Sequence, residues 1–125
     1  MNCLLIDDDI DDQEIFLLCL NDVNPEVKLH VAKNGVEALL MLRADKDCAP
    51  GVIFLDVNMP KMNGLECLSE LKSLPQLSNT PIYVYSTTSE ESVVKKAEEL
   101  GAKDYIIKPT KADKLIEILK TIFAV

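Results

Sequence analysis

At 125 residues, 48% of them hydrophobic and 27% charged, the chain has the size and composition of one compact domain, taken as residues 1–125, and not of a disordered tail. Its 13 basic and 21 acidic residues leave a net charge of −8, which repels polyphosphate backbones and speaks against direct nucleic-acid binding. The longest apolar run, Ile15 to Leu20, has six residues, whereas a membrane crossing needs about 20, and Met1-Asn2-Cys3 begins no secretory signal. A cytoplasmic protein with no membrane contact is expected.

Strand and helix patterns alternate along the chain. Cys3-Leu4-Leu5-Ile6 is a continuous apolar run, followed by a wide apolar face of Ile15, Phe16, Leu18, Cys19 and Leu20 within Asp11 to Asp22. Val27 to Ala32 alternates as a second strand, and Ala38, Leu39 and Leu42 after Gly35 mark a second helix. Val52-Ile53-Phe54-Leu55 is a third strand, and Leu65, Leu68 and Leu71 after Gly64 mark a third helix. A longer loop from Pro75 to Pro81 leads into a fourth strand ending at Tyr85. Ser89, followed by Glu90 and Glu91, predicts the N-cap of a fourth helix through Val93, Ala97 and Leu100, with Gly101 as its C′ residue. Asp104 to Ile107 is the last strand, and Ala112, Leu115, Ile116, Leu119, Ile122 and Phe123 keep the spacing of the last helix. Strands that are apolar throughout suit a sheet covered on both faces. The pattern predicts a doubly wound α/β domain, (βα)₅, with a parallel sheet in the order 2-1-3-4-5 and helices on both faces.

The four cysteines, Cys3, Cys19, Cys48 and Cys67, form no C-x-x-C pair, and His30, the one histidine, completes no zinc set with them. They read as thiols in a reducing compartment.

The polar residues at the strand ends carry the chemistry. Asp7 and Asp8 follow the first strand, Asp56 the third, Ser86 the fourth and Lys108 the fifth. Ligands of open α/β sheets bind at these carboxyl ends, and in the 2-1-3-4-5 order strands 1 and 3 are neighbours, so Asp7, Asp8 and Asp56 converge. Two like charges about 4 Å apart repel by roughly 4 kcal/mol at an effective dielectric of 20. All-oxygen ligands select a hard cation, Mg²⁺ or Mn²⁺, to relieve this. A cation, a lysine, a hydroxyl and a free carboxylate together suit an incoming phosphoryl group. Asp9, Asp11 and Asp12 are read instead as turn or N-cap residues.

At these residues the sequence resembles the receiver domain of two-component response regulators, the CheY-like form of the flavodoxin-like fold. The matching segments are Leu4 to Asp9, Leu55-Asp56-Val57-Asn58-Met59-Pro60 with Gly64, Tyr85-Ser86-Thr87, and Gly101-Ala102 through Tyr105 to Lys108-Pro109. The resemblance implies that Asp56 accepts a phosphoryl group from the phosphohistidine of a sensor histidine kinase or a histidine phosphotransfer protein. It implies Mg²⁺ on Asp8 and Asp56, with the Asn58 backbone carbonyl, and with Asp7 acting largely through water. Lys108 pairs with the phosphoryl oxygens, before a Lys108–Pro109 peptide expected to be cis. Ser86 is the switch hydroxyl, and Tyr105 the aromatic that turns inward when Ser86 moves. Helix 4, strand 5 and helix 5 are the implied effector surface. Asn58 and Thr88 occupy the positions that tune hydrolysis, and Thr87 and Thr110 depart from the usual small and apolar residues there. The run Ser86-Thr87-Thr88-Ser89 is similar to stand-alone regulators paired with phytochrome-type kinases.

No catalysis is expected beyond the protein's own phosphorylation and dephosphorylation. With no residues left for an output domain, the reading is a single-domain regulator acting on a protein effector, as a monomer or a phosphorylation-linked homodimer. The alternatives are a phosphorelay shuttle or phosphate sink, and a non-phosphorylated pseudo-receiver scaffold. An FMN binder fails on the charge of Asp7, Asp8 and Asp9, and a haloacid dehalogenase-type hydrolase fails because Asn58 stands where a general acid is needed. Ile15, Phe16 and Leu20 on the first helix are candidate docking residues for the phosphodonor. Val94, Ile116 and Leu119 are candidates for a dimer face.

Overall fold

A computed structural model describes residues 1–58 and 63–123. Met59 and Pro60 of the third-strand motif lie outside the described residues. The elements run β1 (Asn2–Ile6), α1 (Ile10–Val23), β2 (Lys28–Ala32), α2 (Gly35–Ala44), β3 (Val52–Leu55), α3 (Gly64–Lys72), β4 (Ile82–Ser86), α4 (Glu91–Glu99), β5 (Asp104–Ile107) and α5 (Ala112–Phe123). The five strands pair in parallel in the order β2-β1-β3-β4-β5, as the alternation predicts.

Two apolar layers explain the continuous runs. Leu4, Ile6, Ile53, Leu55 and Val84 point to one face and pack with Ala38 and Leu42 of α2, Leu68 and Leu71 of α3, and Ala97 of α4. Cys3, Leu5, Phe54, Tyr85 and Ile106 point to the other, against Phe16 and Leu20 of α1 and Leu115, Leu119 and Phe123 of α5. β1 from Cys3 on and all of β3 are buried, because each lies between two strands and two helix layers. β2 is an edge strand in which Lys28, His30 and Val31 are exposed, and Val27 is buried just before it. The Pro75-to-Pro81 loop holds a 3₁₀ turn at Pro75–Leu77 and is tied to the end of α2 by Gln76 Nε2, which donates to the Leu42 carbonyl at 2.9 Å.

Three helix details depart from the sequence reading or refine it. α1 buries Phe16, Cys19 and Leu20, but Leu18 is 70% exposed and Ile15 45%, because the sheet and α5 cover a narrower stripe than the apolar residues span. α4 is not capped by Ser89: Glu90 occupies the cap and makes no side-chain bond there. Gly101 does end α4 in the left-handed region, φ 98°, with Ala102 N–H donating to the Ala97 carbonyl at 3.1 Å and Gly101 N–H to that of Glu98 at 3.0 Å. The cysteines are unpaired, and burial pushes the Cys3 and Cys67 thiols up to about 12, as inert core thiols. No described helix is long and apolar enough to cross a membrane.

Gly64, the first residue of α3, lets that helix start against the end of β3. A Cβ there would stand 2.2 Å from Val57 Cα and 2.8 Å from the Asp56 carbonyl oxygen, backbone atoms that cannot swing aside. Gly64→Ala should cost about 2–3 kcal/mol by urea denaturation, and the displaced Asp56–Val57 segment should show as amide shifts around Asp56 in NMR spectra.

Candidate functional site

The ladder hydrogen bonds continue past the strands and set the positions of the two central carboxylates. Asp7 N–H donates to the Ala32 carbonyl at 3.0 Å and Asp56 N–H to that of Ile6 at 2.9 Å. Each Asp then turns the chain in the same way. Asp7 Oδ1 accepts from Asp9 N–H at 3.0 Å, and Asp56 Oδ1 from Asn58 N–H at 2.8 Å. The second oxygens are thereby aimed inward. Asp9 caps α1, its carboxylate accepting from Asp12 N–H at 3.0 Å, as its placement before the first helix predicts.

Lys108 joins the two. Its backbone N–H donates to the Ser86 carbonyl at 2.9 Å, continuing the β4–β5 register. Its ammonium lies 2.8 Å from Asp7 Oδ2 and 3.0 Å from Asp56 Oδ2. Of these two contacts that to Asp56 is aligned as a hydrogen bond and that to Asp7 is not, so Asp7 Oδ2 is a fully buried carboxylate oxygen with no hydrogen bond of its own. Burial accordingly raises the Asp7 pKa above 3.8, against the lowering effects of Lys108 and the Asp9 amide. For Lys108 burial acts downward, but the close carboxylates of Asp12, Asp7 and Asp56 outweigh it and the ammonium is held above its usual range. The Lys108–Pro109 peptide is not cis as expected. It is trans, like every described peptide bond, in line with the intrinsic trans preference of about 0.5–1 kcal/mol, and Lys108 reaches both carboxylates from that form.

Asp7, Asp8 and Asp56 each place a carboxylate oxygen within 4.8 Å of the others. The unbonded Asp7 Oδ2 and the all-carboxylate donor set fit a hard divalent cation. Asn58 is exposed beside the cluster.

The remaining predicted residues meet at Thr88. Ser86 is wholly buried, and its hydroxyl accepts from Thr88 N–H at 3.3 Å. Asn58 Nδ2 donates to Thr88 Oγ1 at 2.5 Å, and the Tyr105 hydroxyl donates to the Thr88 carbonyl at 2.6 Å. Tyr105 is half-buried against the α2–α3–α4 layer. Thr87 and Thr110 are exposed.

Two contacts were not read from the sequence. Asp12, assigned to the helix turn, reaches Lys108 Nζ with Oδ2 at 2.8 Å. The Tyr85 ring lies with its centroid 5.4 Å from the same nitrogen, within cation–π range. Of the candidate docking and dimer residues, Phe16, Leu20 and Leu119 are fully buried and are core, while Ile15 is exposed.

The sequence matches the response regulator receiver domain over residues 3–120. The chain belongs to this family. Chemotaxis protein CheY of Thermotoga maritima is 26% identical over 113 residues, 90% of this chain and 92% of that one. The two-component response regulator ORR12 of Oryza sativa subsp. japonica is 32% identical over 119 residues, 95% of each. Among solved structures, the phosphorylated cyanobacterial phytochrome response regulator RcpA superposes with a TM-score of 0.87 at 30% identity, covering 97% of this chain and 89% of that one. The Mn²⁺-bound form of response regulator Rcp1 gives 0.85 at 27% identity, covering 97% and 90%. The chain is therefore a two-component receiver domain on the CheY-like fold that the strand-end residues suggested.

Replacing the ammonium with an apolar isostere tests its structural weight. Lys108→Met should lower stability at neutral pH by about 3 kcal/mol, because Asp7 and Asp56 are left buried and unpaired. Asp7, whose folded pKa is raised, favours folding when protonated, a contribution fully present below 3.8 and lost as pH rises through its folded value. The deficit of Lys108→Met should therefore shrink as the pH is lowered toward 4 in urea titrations.

Proposed function

We propose that the protein accepts a phosphoryl group on Asp56 from a phosphohistidine of a sensor histidine kinase or histidine phosphotransfer protein, in a Mg²⁺-dependent reaction. The observation that carries this is the ammonium of Lys108 set between two buried strand-end carboxylates, one of them with an oxygen free of any hydrogen bond. An Asp56 oxygen forms the new O–P bond while the P–N bond to the donor imidazole breaks, its electron pair returning to the ring nitrogen. Asp8, Asp56 and the Asn58 carbonyl would hold the cation, with Asp7 acting through water. Bound there, Mg²⁺ or Mn²⁺ would neutralise charge on the phosphoryl oxygens. Lys108 receives one of those oxygens.

The phosphoryl group adds about −1.5 to −2 of charge and three strong acceptors at the strand ends. Ser86 turns its hydroxyl toward it, loosening the Thr88 segment that Tyr105 holds. The α4–β5–α5 surface then changes shape for a protein effector. The chain catalyses nothing else in this reading, and acts as a single-domain cytoplasmic regulator, monomeric or dimerising on phosphorylation.

Incubation with Mg²⁺ and acetyl phosphate should add one phosphoryl mass to the intact protein, and this gain should vanish in Asp56→Asn and without Mg²⁺. A wild-type protein that neither gains mass nor binds Mg²⁺ would instead be a pseudo-receiver.

The lifetime of the product depends on the second pair of polar residues. Asn58 has its amide engaged with Thr88, which keeps it from orienting an attacking water. Thr88→Ala should free that amide and shorten the phosphorylated lifetime about threefold, read as the decay of the phosphorylated mass after donor removal.

A further inference from the structure

An ammonium has three N–H donors, and three carboxylates surround that of Lys108. Two of them, Asp7 and Asp56, stand at strand ends. The third, Asp12, stands in the first turn of α1 and approaches Nζ to 2.8 Å in a well-aligned hydrogen bond. Its side chain is 33% exposed where that of Lys108 is 8%, so it meets the ammonium from the more exposed side of the cluster. Asp12 does not belong to the trio of oxygens that suits a cation, which is Asp7, Asp8 and Asp56.

Resting on the reading of Asp56 as phosphoacceptor, we infer that Asp12 is a positioning residue that acts through Lys108. It occupies one donor of the ammonium in the unphosphorylated protein and must release it before Lys108 can meet a phosphoryl oxygen. Two features support an exchange over a fixed structural pair. Without Asp12, Lys108 still has Asp7, Asp56 and the face of the Tyr85 ring at 5.4 Å, so its position does not depend on the α1 carboxylate. The charges also compete: a phosphoryl group arriving beside Asp7, Asp8 and Asp56 needs every positive charge within reach, and Asp12 shares out the ammonium of this cluster. Asp12 thus restrains phosphoryl capture. Release of its carboxylate also carries the change at Asp56 to the exposed side of α1.

The test compares wild type with Asp12→Asn, Asp12→Glu and Asp11→Asn. Asp11 is exposed on the same turn, and its variant removes the same charge without touching Lys108. With Mg²⁺ and acetyl phosphate, Asp12→Asn should gain the phosphoryl mass about three- to tenfold faster than wild type, as a neutral amide oxygen holds the ammonium more weakly than the carboxylate. Asp12→Glu, which can still reach the ammonium, and Asp11→Asn should stay within about twofold of wild type. In the metal-free protein, the Lys108 Nζ resonance should shift in Asp12→Asn and not in Asp11→Asn. An Asp12→Asn rate equal to or below wild type would overturn the inference, as would equal acceleration in Asp11→Asn or in Asp12→Glu. An unshifted Lys108 resonance would sink the pairing by itself, in a protein that phosphorylates normally. No mass gain in wild type alongside a normal resonance shift would instead mark failure of the phosphoacceptor reading, and the proposed exchange would fall with it.

Discussion

The arrangement at the carboxyl end of the sheet turns on one positive charge, the Lys108 ammonium, which lies within 3.0 Å of oxygens from Asp7, Asp12 and Asp56. Asp8 adds a fourth carboxylate nearby, so the formal charge of the cluster is far from balanced by one lysine. At an effective dielectric of 20, each like-charged pair near 4 Å costs roughly 4 kcal/mol, an energy comparable with a large part of the stability of a small domain. The surrounding carboxylates hold the ammonium above its usual pKa range, and burial raises the pKa of Asp7, the most buried of the acids. A site left short of positive charge attracts a cation.

The sheet makes such a concentration of charge possible. Parallel pairing in the order β2-β1-β3-β4-β5 brings the ends of β1 and β3 side by side and puts β4 and β5 next to them. Since the core residues of these strands are locked between two helix layers, a one-residue slip that separated the carboxylates would turn every side chain of a strand to the opposite layer and spoil the packing of both. Gly64 contributes from the other direction, letting α3 begin in contact with the backbone of Asp56 and Val57. The charged cluster is thus held by apolar packing, and its repulsion is met by the cooperative stability of the whole domain.

How much of this was legible in the sequence depended on whether the signal was local. The strand runs, the strand-end acids, the Asp9 cap and the Gly101 terminus each rest on a few consecutive residues, and each is found where the pattern placed it. Ser89 misled because a Ser before two Glu residues satisfies the cap composition whether or not the backbone turns there, and the helix begins after Glu90 instead. Leu18 misled because apolar spacing marks a face without saying how wide a stripe the neighbouring elements cover. Asp12 was missed for a deeper reason. Its partner is 96 positions away, and the contact exists only because α1 and α5 pack on the same side of the sheet. No residue type or spacing near Asp12 distinguishes it from Asp11, which faces solvent.

Thr88 shows how a change at the acids can reach the far edge of the sheet. Its backbone N–H goes to Ser86, its hydroxyl accepts from Asn58 and its carbonyl accepts from Tyr105, so one residue joins β4, the segment after β3, and β5. Each neutral hydrogen bond of this kind contributes a net of about 0.5–1.5 kcal/mol, whereas one to an ionised group contributes about 1.5–3. Inverting a two-state equilibrium from 1:99 to 99:1 takes about 5.5 kcal/mol. Two or three charge-assisted bonds to a phosphoryl group supply that amount, and the bonds around Thr88 are weak enough to be exchanged for them. In the proposed switch the hydroxyl of Ser86 is the first member of the exchange, since it accepts from Thr88 over a long 3.3 Å. On the proposed reading, opening that contact would move the Thr88 carbonyl that accepts from the Tyr105 hydroxyl.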